Sequence, residues 1–226
     1  MSNDTSAVPS LSPVAPSLAS RLKTETADLH ESMHVLMGRL APFSARNRYV
    51  RFVAAQFVFQ SRVSALAQAS DAGAIIADLS MRFRVGAARA DLSDLSAELA
   101  PDRLAWALEA AAAAAAPVVP VSSARALGWL YVSEGSTLGA AFLFKEAQTV
   151  LGLTADFGAR NLAASPTGRA LSWRAFVVSL DAAELTADQA DQVVAGAHEA
   201  FSFFGAALTD AFEGAPDVSQ PADQAL

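Results

Sequence analysis

The fold turns on Gly128-Trp-Leu-Tyr-Val-Ser-Glu-Gly135-Ser-Thr-Leu-Gly139-Ala-Ala-Phe-Leu-Phe144. The stretch shows no period-two alternation, and it sits within a pattern that predicts one helix from about Ser122 to Val150. Each glycine inside a helix costs about 1 kcal/mol relative to alanine. Gly128, Gly135 and Gly139 are spaced by seven and four, so they share one face. Three of them put a cost of roughly 3 kcal/mol on a single stripe. Something must therefore approach that backbone closely. It is either another helix or a flat ligand lying against a kinked helix.

Working outward, the rest of the chain is also helical in pattern. Leu22, Leu29, Met33, Leu36, Met37 and Leu40 recur at three- and four-residue spacing and predict a helix from about Ala19 to Leu40, stopped by Pro42. A second helix is predicted from after Ser44 to about Ala69, with Phe52, Phe57, Phe59, Val63 and Leu66 as its apolar contacts. Residues 71–96 read as shorter pieces broken by Gly73 and Gly86. Pro101-Asp102 opens a helix that Pro117 ends. After Gly152 a loop carries Gly158, Pro166 and Gly168, and two helices follow at about 169–182 and 186–212. Thr186 with Gln189 is a capping-box signal for the last one. Hairpin dipeptides such as Asn-Gly are absent, so the expected class is all-α. One helical domain is expected over 19–213, between flexible tails at 1–18 and 214–226 that are rich in Pro, Ser and Ala or carry scattered acids.

Composition narrows the function. With 226 residues, 53% hydrophobic and 17% charged, the chain can bury a sizeable core. A net charge of −7 argues against a nucleic-acid partner, which needs a basic face. The absence of Cys excludes disulfides, iron–sulfur clusters and a Cys nucleophile. Mean hydropathy is +0.30, but the most apolar run, Leu104 to Val121, is mostly alanine and holds Glu109, Pro117 and Pro120, so no membrane span is expected. Met1 to Ser20 has no apolar h-region, and a cytoplasmic location is expected.

Two constellations carry chemistry. His30-Glu31-Ser32-Met33-His34 matches the H-E-x-x-H zinc pattern, in which two His one turn apart bind the metal and Glu activates water. A third protein ligand would still be needed, and the chain has only three His in all. The same His30, set opposite the glycine stripe, could instead hold a haem between two helices, with a ring nitrogen on the iron. Lys23 lies seven residues before His30, on the same face and roughly 10 Å away, where it could meet a haem propionate. Tyr131, one turn before Gly135, could donate a phenolic hydrogen bond to the same group.

These residues also carry a family resemblance. Arg21-Leu-Lys-Thr-Glu-Thr-Ala-Asp-Leu-His30 resembles the proximal helix of the haem oxygenases, and Gly128 through Lys145 resembles their distal helix. Phe157-Gly-Ala-Arg-Asn-Leu-Ala163, Gly168-Arg169 and Trp173-Arg-Ala-Phe176 resemble the region that follows in bacterial members, and Gly196-Ala-His-Glu-Ala-Phe201 resembles the last helix. The similarity spans about residues 20–212. It implies a single helical domain with haem as both substrate and cofactor. The implied reaction is oxidative opening of haem to biliverdin, with release of carbon monoxide and ferrous iron. By position His30 matches the proximal iron ligand, Gly135 and Gly139 the distal glycines, and Lys23 and Tyr131 the propionate contacts of enzymes that make the α isomer.

In that frame protons must reach O2 through ordered water held by polar groups. Gln56 and Gln60, one turn apart, are candidates for that network, with Ser136 and Thr137 assisting. Phe201 and Phe204 are candidate apolar walls. Two His depart from the pattern: His34 lies one turn beyond His30, and His198 stands where relatives tend to place a basic residue near the haem edge. No strand-flanked G-x-G-x-x-G is present, so electrons are expected from an external ferredoxin, flavodoxin or reductase. Two other functions fit the residues: a non-catalytic haem-binding protein on the same fold, and a zinc peptidase using His30 to His34.

Overall fold

A computed structural model describes residues 16–117 and 121–213. The chain forms α1 (Leu18–Glu25), α2 (Ala27–Leu40), α3 (Arg46–Gln68), α4 (Ala72–Ile75), α5 (Leu79–Arg82), α6 (Val85–Asp94), α7 (Pro101–Ala114), α8 (Ser123–Leu151), α9 (Arg169–Asp181) and α10 (Ala187–Phe212). Short 3-10 turns occupy Pro42–Ser44 and Ser96–Glu98. Among the described residues there is no strand, only isolated bridges around Thr154. The tails expected at 1–18 and 214–226 lie outside the described residues, apart from 16–18. There Ser17 caps α1, its hydroxyl accepting from the Ser20 amide at 3.3 Å.

The helix ends follow the local chemistry. Pro42 ends α2 through Ala41, which takes the left-handed conformation at φ 42°. Gly152 does the same for α8 at φ 67°, a conformation that suits a residue without Cβ. The capping box at α10 forms as the sequence predicts: the Gln189 amide donates to Thr186 Oγ1 at 3.2 Å, and the Thr186 amide donates to Gln189 Oε1 at 2.9 Å.

One boundary differs. The helix expected over Ala19–Leu40 is two helices broken at Thr26. Buried Thr26 turns its hydroxyl back to the Leu22 carbonyl at 2.8 Å, a local bond that competes with the helix ladder. The thread continues beyond the break, because the His30 amide donates to the Thr26 carbonyl.

α3 is buried along most of its length and packs against α6, α7, α8 and α10. One part of the core gathers Phe43, Tyr49, Phe52, Leu92 and Leu162; the other gathers Leu22, Leu127, Leu130, Phe176 and Leu180. Phe203 and Phe204 of α10 pack against both. The loop after α8 is pinned by fully buried Asp91, which accepts from the amides of Arg160 at 2.9 Å and Asn161 at 2.8 Å and from the Arg160 guanidinium at 3.1 Å.

The glycine stripe of α8 serves two purposes. A Cβ on Gly128 would collide with the Val193 carbonyl oxygen and lie 2.5 Å from the Ala197 amide nitrogen. From the other side, a Cβ on Gly196 would collide with the Arg125 carbonyl oxygen. Here the close approach is helix on helix, backbone against backbone. Among the described residues Gly135 meets only the Trp173 ring, at 3.7 Å, and nothing lies within 4 Å of a Cβ on Gly139. Gly128→Ala is thus expected to force α8 and α10 apart and to destabilise the protein by about 3 kcal/mol. The same change at Gly139 is expected to stabilise by up to about 1 kcal/mol. Urea unfolding midpoints of the two variants check both signs.

Candidate functional site

α2 packs on α10 yet fully buries none of its residues. Met33, Leu36, Met37 and Leu40 are half-buried against the core, and Met33 lies 3.7 Å from where a Cβ of Gly205 would stand. This leaves His30 and His34 exposed. Their rings meet edge to face at 4.6 Å between centroids, and the His30 ring stands 6.5 Å from that of half-buried Phe201 on α10. Phe204 turns the other way, to Phe59 at 5.1 Å. It packs against the core. Lys23 is exposed near the end of α1, beyond the Thr26 break.

On α8, Tyr131 is half-buried with its ring 5.5 Å from Trp173 of α9, and burial raises its phenol above the ordinary value. Three carbonyls within little more than one turn accept side-chain hydrogen bonds. Ser136 Oγ donates to the Ser133 carbonyl at 2.7 Å, Thr137 Oγ1 to the Glu134 carbonyl at 2.8 Å, and the Arg169 guanidinium to the Thr137 carbonyl at 2.7 Å. Such side-chain bonds to the ladder accompany helix bending. Beyond them, Gly139 and Phe142 are exposed.

The two glutamines face different fates. Gln60 is buried, and its Nε2 donates to Ser133 Oγ at 3.2 Å, which ties α3 to α8 two residues before Gly135. Gln56, one turn earlier, holds a buried Oε1 with no hydrogen-bond partner among the described residues. An orphaned buried acceptor is costly and calls for a ligand group or ordered water. An accessible imidazole beside an aromatic ring, a Gly139 on which none of the described residues packs, and an unpaired amide oxygen are each features that a flat, mostly apolar ligand with a metal at its centre would use. His198 does not join them: its Nε2 is 2.9 Å from the Glu25 carbonyl oxygen, and the ring lines a groove of about 900 Å³ with Trp106, Trp129 and Phe203. Among the described residues no three His, Asp or Glu gather to hold a metal ion, so the H-E-x-x-H segment lacks the third ligand a catalytic zinc needs.

The heme oxygenase family model matches residues 16–210. The chain belongs to the haem oxygenase family. It is 41% identical over 192 residues to heme oxygenase PigA of Pseudomonas aeruginosa, covering 85% of this chain and 91% of that protein. The NO- and CO-bound heme oxygenase of Neisseria meningitidis superposes with a TM-score of 0.75 at 34% identity, over 94% of this chain and all of that one. Heme oxygenase 2 of Chlamydomonas reinhardtii, without heme, shares the fold alone, with a TM-score of 0.67 at 18% identity over 92% of this chain and all of that one. Among the described residues of this haem oxygenase, no helix is long and apolar enough to cross a membrane.

Sequence reasoning missed the ion pair that anchors the distal helix. Arg82 and Glu134 are both buried, with Nη1 2.6 Å from Oε2. Arg82 also holds Asp78 at 2.7 Å and stacks over Phe176 at 5.6 Å. Burial raises the Glu134 carboxyl above its ordinary value, although Arg82 works against the rise. A Glu inside an apolar helix was the visible signal; its partner, 52 residues away, had none. Arg82→Met leaves that carboxyl buried and unpaired and is expected to cost about 3 kcal/mol. A raised carboxyl weakens the folded state as pH climbs past the ordinary carboxylate range. The loss measured by denaturant unfolding is therefore expected to be larger at pH 8 than at pH 5.

Proposed function

We propose that this haem oxygenase opens haem to the α isomer of biliverdin, carbon monoxide and ferrous iron, with His30 as the proximal iron ligand. The observation that carries the reading is the pairing of an accessible imidazole on α2 with an α8 glycine face on which nothing packs at Gly139. The identity to PigA and the likeness to the Neisseria enzyme support the opening of haem, and the α isomer rests on Lys23 and Tyr131 alone. Bound haem supplies the redox-active iron and the macrocycle that is cut.

The chain's own residues hold, orient and protonate. A ring nitrogen of His30 would hold the iron. Gly135, Ser136 and Gly139 keep large side chains off the opposite face and leave room for O2. Gln56 Oε1 accepts from an ordered water, and the Gln60–Ser133 pair fixes the amide stripe beside it. Phe201 packs against the edge of the His30 imidazole, with Phe204 behind it in the core. Lys23 and Tyr131 would hold the propionates and so select the meso carbon that is cut. Electrons come from an external ferredoxin, flavodoxin or reductase, and the cytoplasm is the compartment this chemistry implies.

Hemin titration followed by reduction under air, with catalase present, is expected to replace a Soret band with a biliverdin band. A stable Soret band without bilin, when a competent reductase is supplied, would mark a haem carrier instead. His30→Ala is expected to lose normal axial ligation and at least about a hundredfold in turnover. A second expectation concerns the product. Lys23→Asn with Tyr131→Phe is expected to release the in-plane orientation, so chromatography of the biliverdin should show isomers other than α. An unchanged α product would remove these two residues from that role.

A further inference from the structure

His34 is unused by the oxygenase chemistry, yet it stands one turn from His30 on the exposed face of α2. The two ring centroids are 4.6 Å apart and the planes meet at 70°. Imidazoles sharing one ion through bonds of about 2.0–2.1 Å, at angles of roughly 90–110°, have centroids about 4.6–5.3 Å apart. The centroid separation of the pair therefore lies within that range. α2 fully buries no residue, so no repacking is needed for an ion to enter. With no third His, Asp or Glu gathered beside them among the described residues, water fills the other positions. Imidazole pairs of this kind suit first-row divalent cations, Cu2+ above Zn2+.

We propose that His30 and His34 form a bidentate site for a divalent first-row cation in the haem-free protein, exclusive with haem because both draw on the His30 imidazole. The exclusivity rests on His30 being the proximal ligand. The site also places a second imidazole beside the atom from which ferrous iron departs once the macrocycle opens. His34 then gives the departing iron a temporary second ligand, and a metal-loaded chain resists haem until the ion leaves.

Calorimetric titration of the haem-free protein with Zn2+ tests the pair. One ion per chain is expected, with affinity reduced at least about tenfold by His34→Ala and by His30→Ala, and unchanged by His198→Ala. Electron paramagnetic resonance of bound Cu2+ is expected to show two coupled nitrogens, falling to one in His34→Ala. His34 is exposed, so its loss leaves the packing intact. Zn2+ affinity and nitrogen coupling that do not respond to His34→Ala overturn the site. Saturating Zn2+ is expected to weaken hemin binding at least about tenfold in the wild type and not in His34→Ala. Simultaneous binding of Zn2+ and hemin overturns the exclusivity. If hemin bound to His30→Ala then keeps the wild-type spectrum, the proximal assignment has failed; if that spectrum changes, the metal pair has.

Discussion

The backbone contact between α8 and α10 at Gly128 and Gly196 is the constraint on which the rest of the structure depends. Each glycine faces main-chain atoms of the other helix at a separation no Cβ could share. That contact sets how close the two longest helices lie. It also determines where Trp129 and Phe204 meet Phe59, and where Phe203 meets Trp129, to close the core around α3. Helices in contact through backbone have little freedom to slide. The distal half of α8 leaves this crossing in a defined direction, with Gly135 and Gly139 beyond it. The glycine cost at the crossing is offset by packing. At Gly139 no such packing is present among the described residues.

Polar anchors then fix the distal turn. Gln60 holds Ser133, Arg82 holds Glu134, and Arg169 takes the Thr137 carbonyl. These come from α3, α5 and α9, three separate elements converging on five residues of one helix. Two buried charges in such a place are a poor source of stability, because desolvation opposes their attraction. Their value is positional: an unpaired alternative is so unfavourable that Glu134 keeps to one partner. The opposite wall is built by a contrary strategy. α2 is lightly packed, fully buries no residue, and presents His30 on an accessible face. The firmly anchored turn of α8 and the lightly packed α2 are thus contrasting parts of one helical framework.

What the sequence by itself determined was periodic or local. The Thr186–Gln189 cap, the stops at Pro42 and Gly152 and the all-α class follow from residue spacing and from short-range hydrogen bonding. His30, Gly135 and Gly139 stood out in the sequence because helix propensity disfavours the glycines and an apolar pattern does not require the histidine. The break at Thr26 was missed because a threonine hydroxyl bonding its own helix leaves no trace in apolar periodicity. Only the tertiary structure could separate Gly128 from Gly139, since an identical residue on one stripe meets another backbone at one end and open space at the other. Only it could pair Arg82 with Glu134, leave Gln56 Oε1 without a partner and turn Phe204 to Phe59. Each of these is a contact across many residues of chain, decided by which helix faces lie together, and periodicity along one helix holds no information about its neighbour.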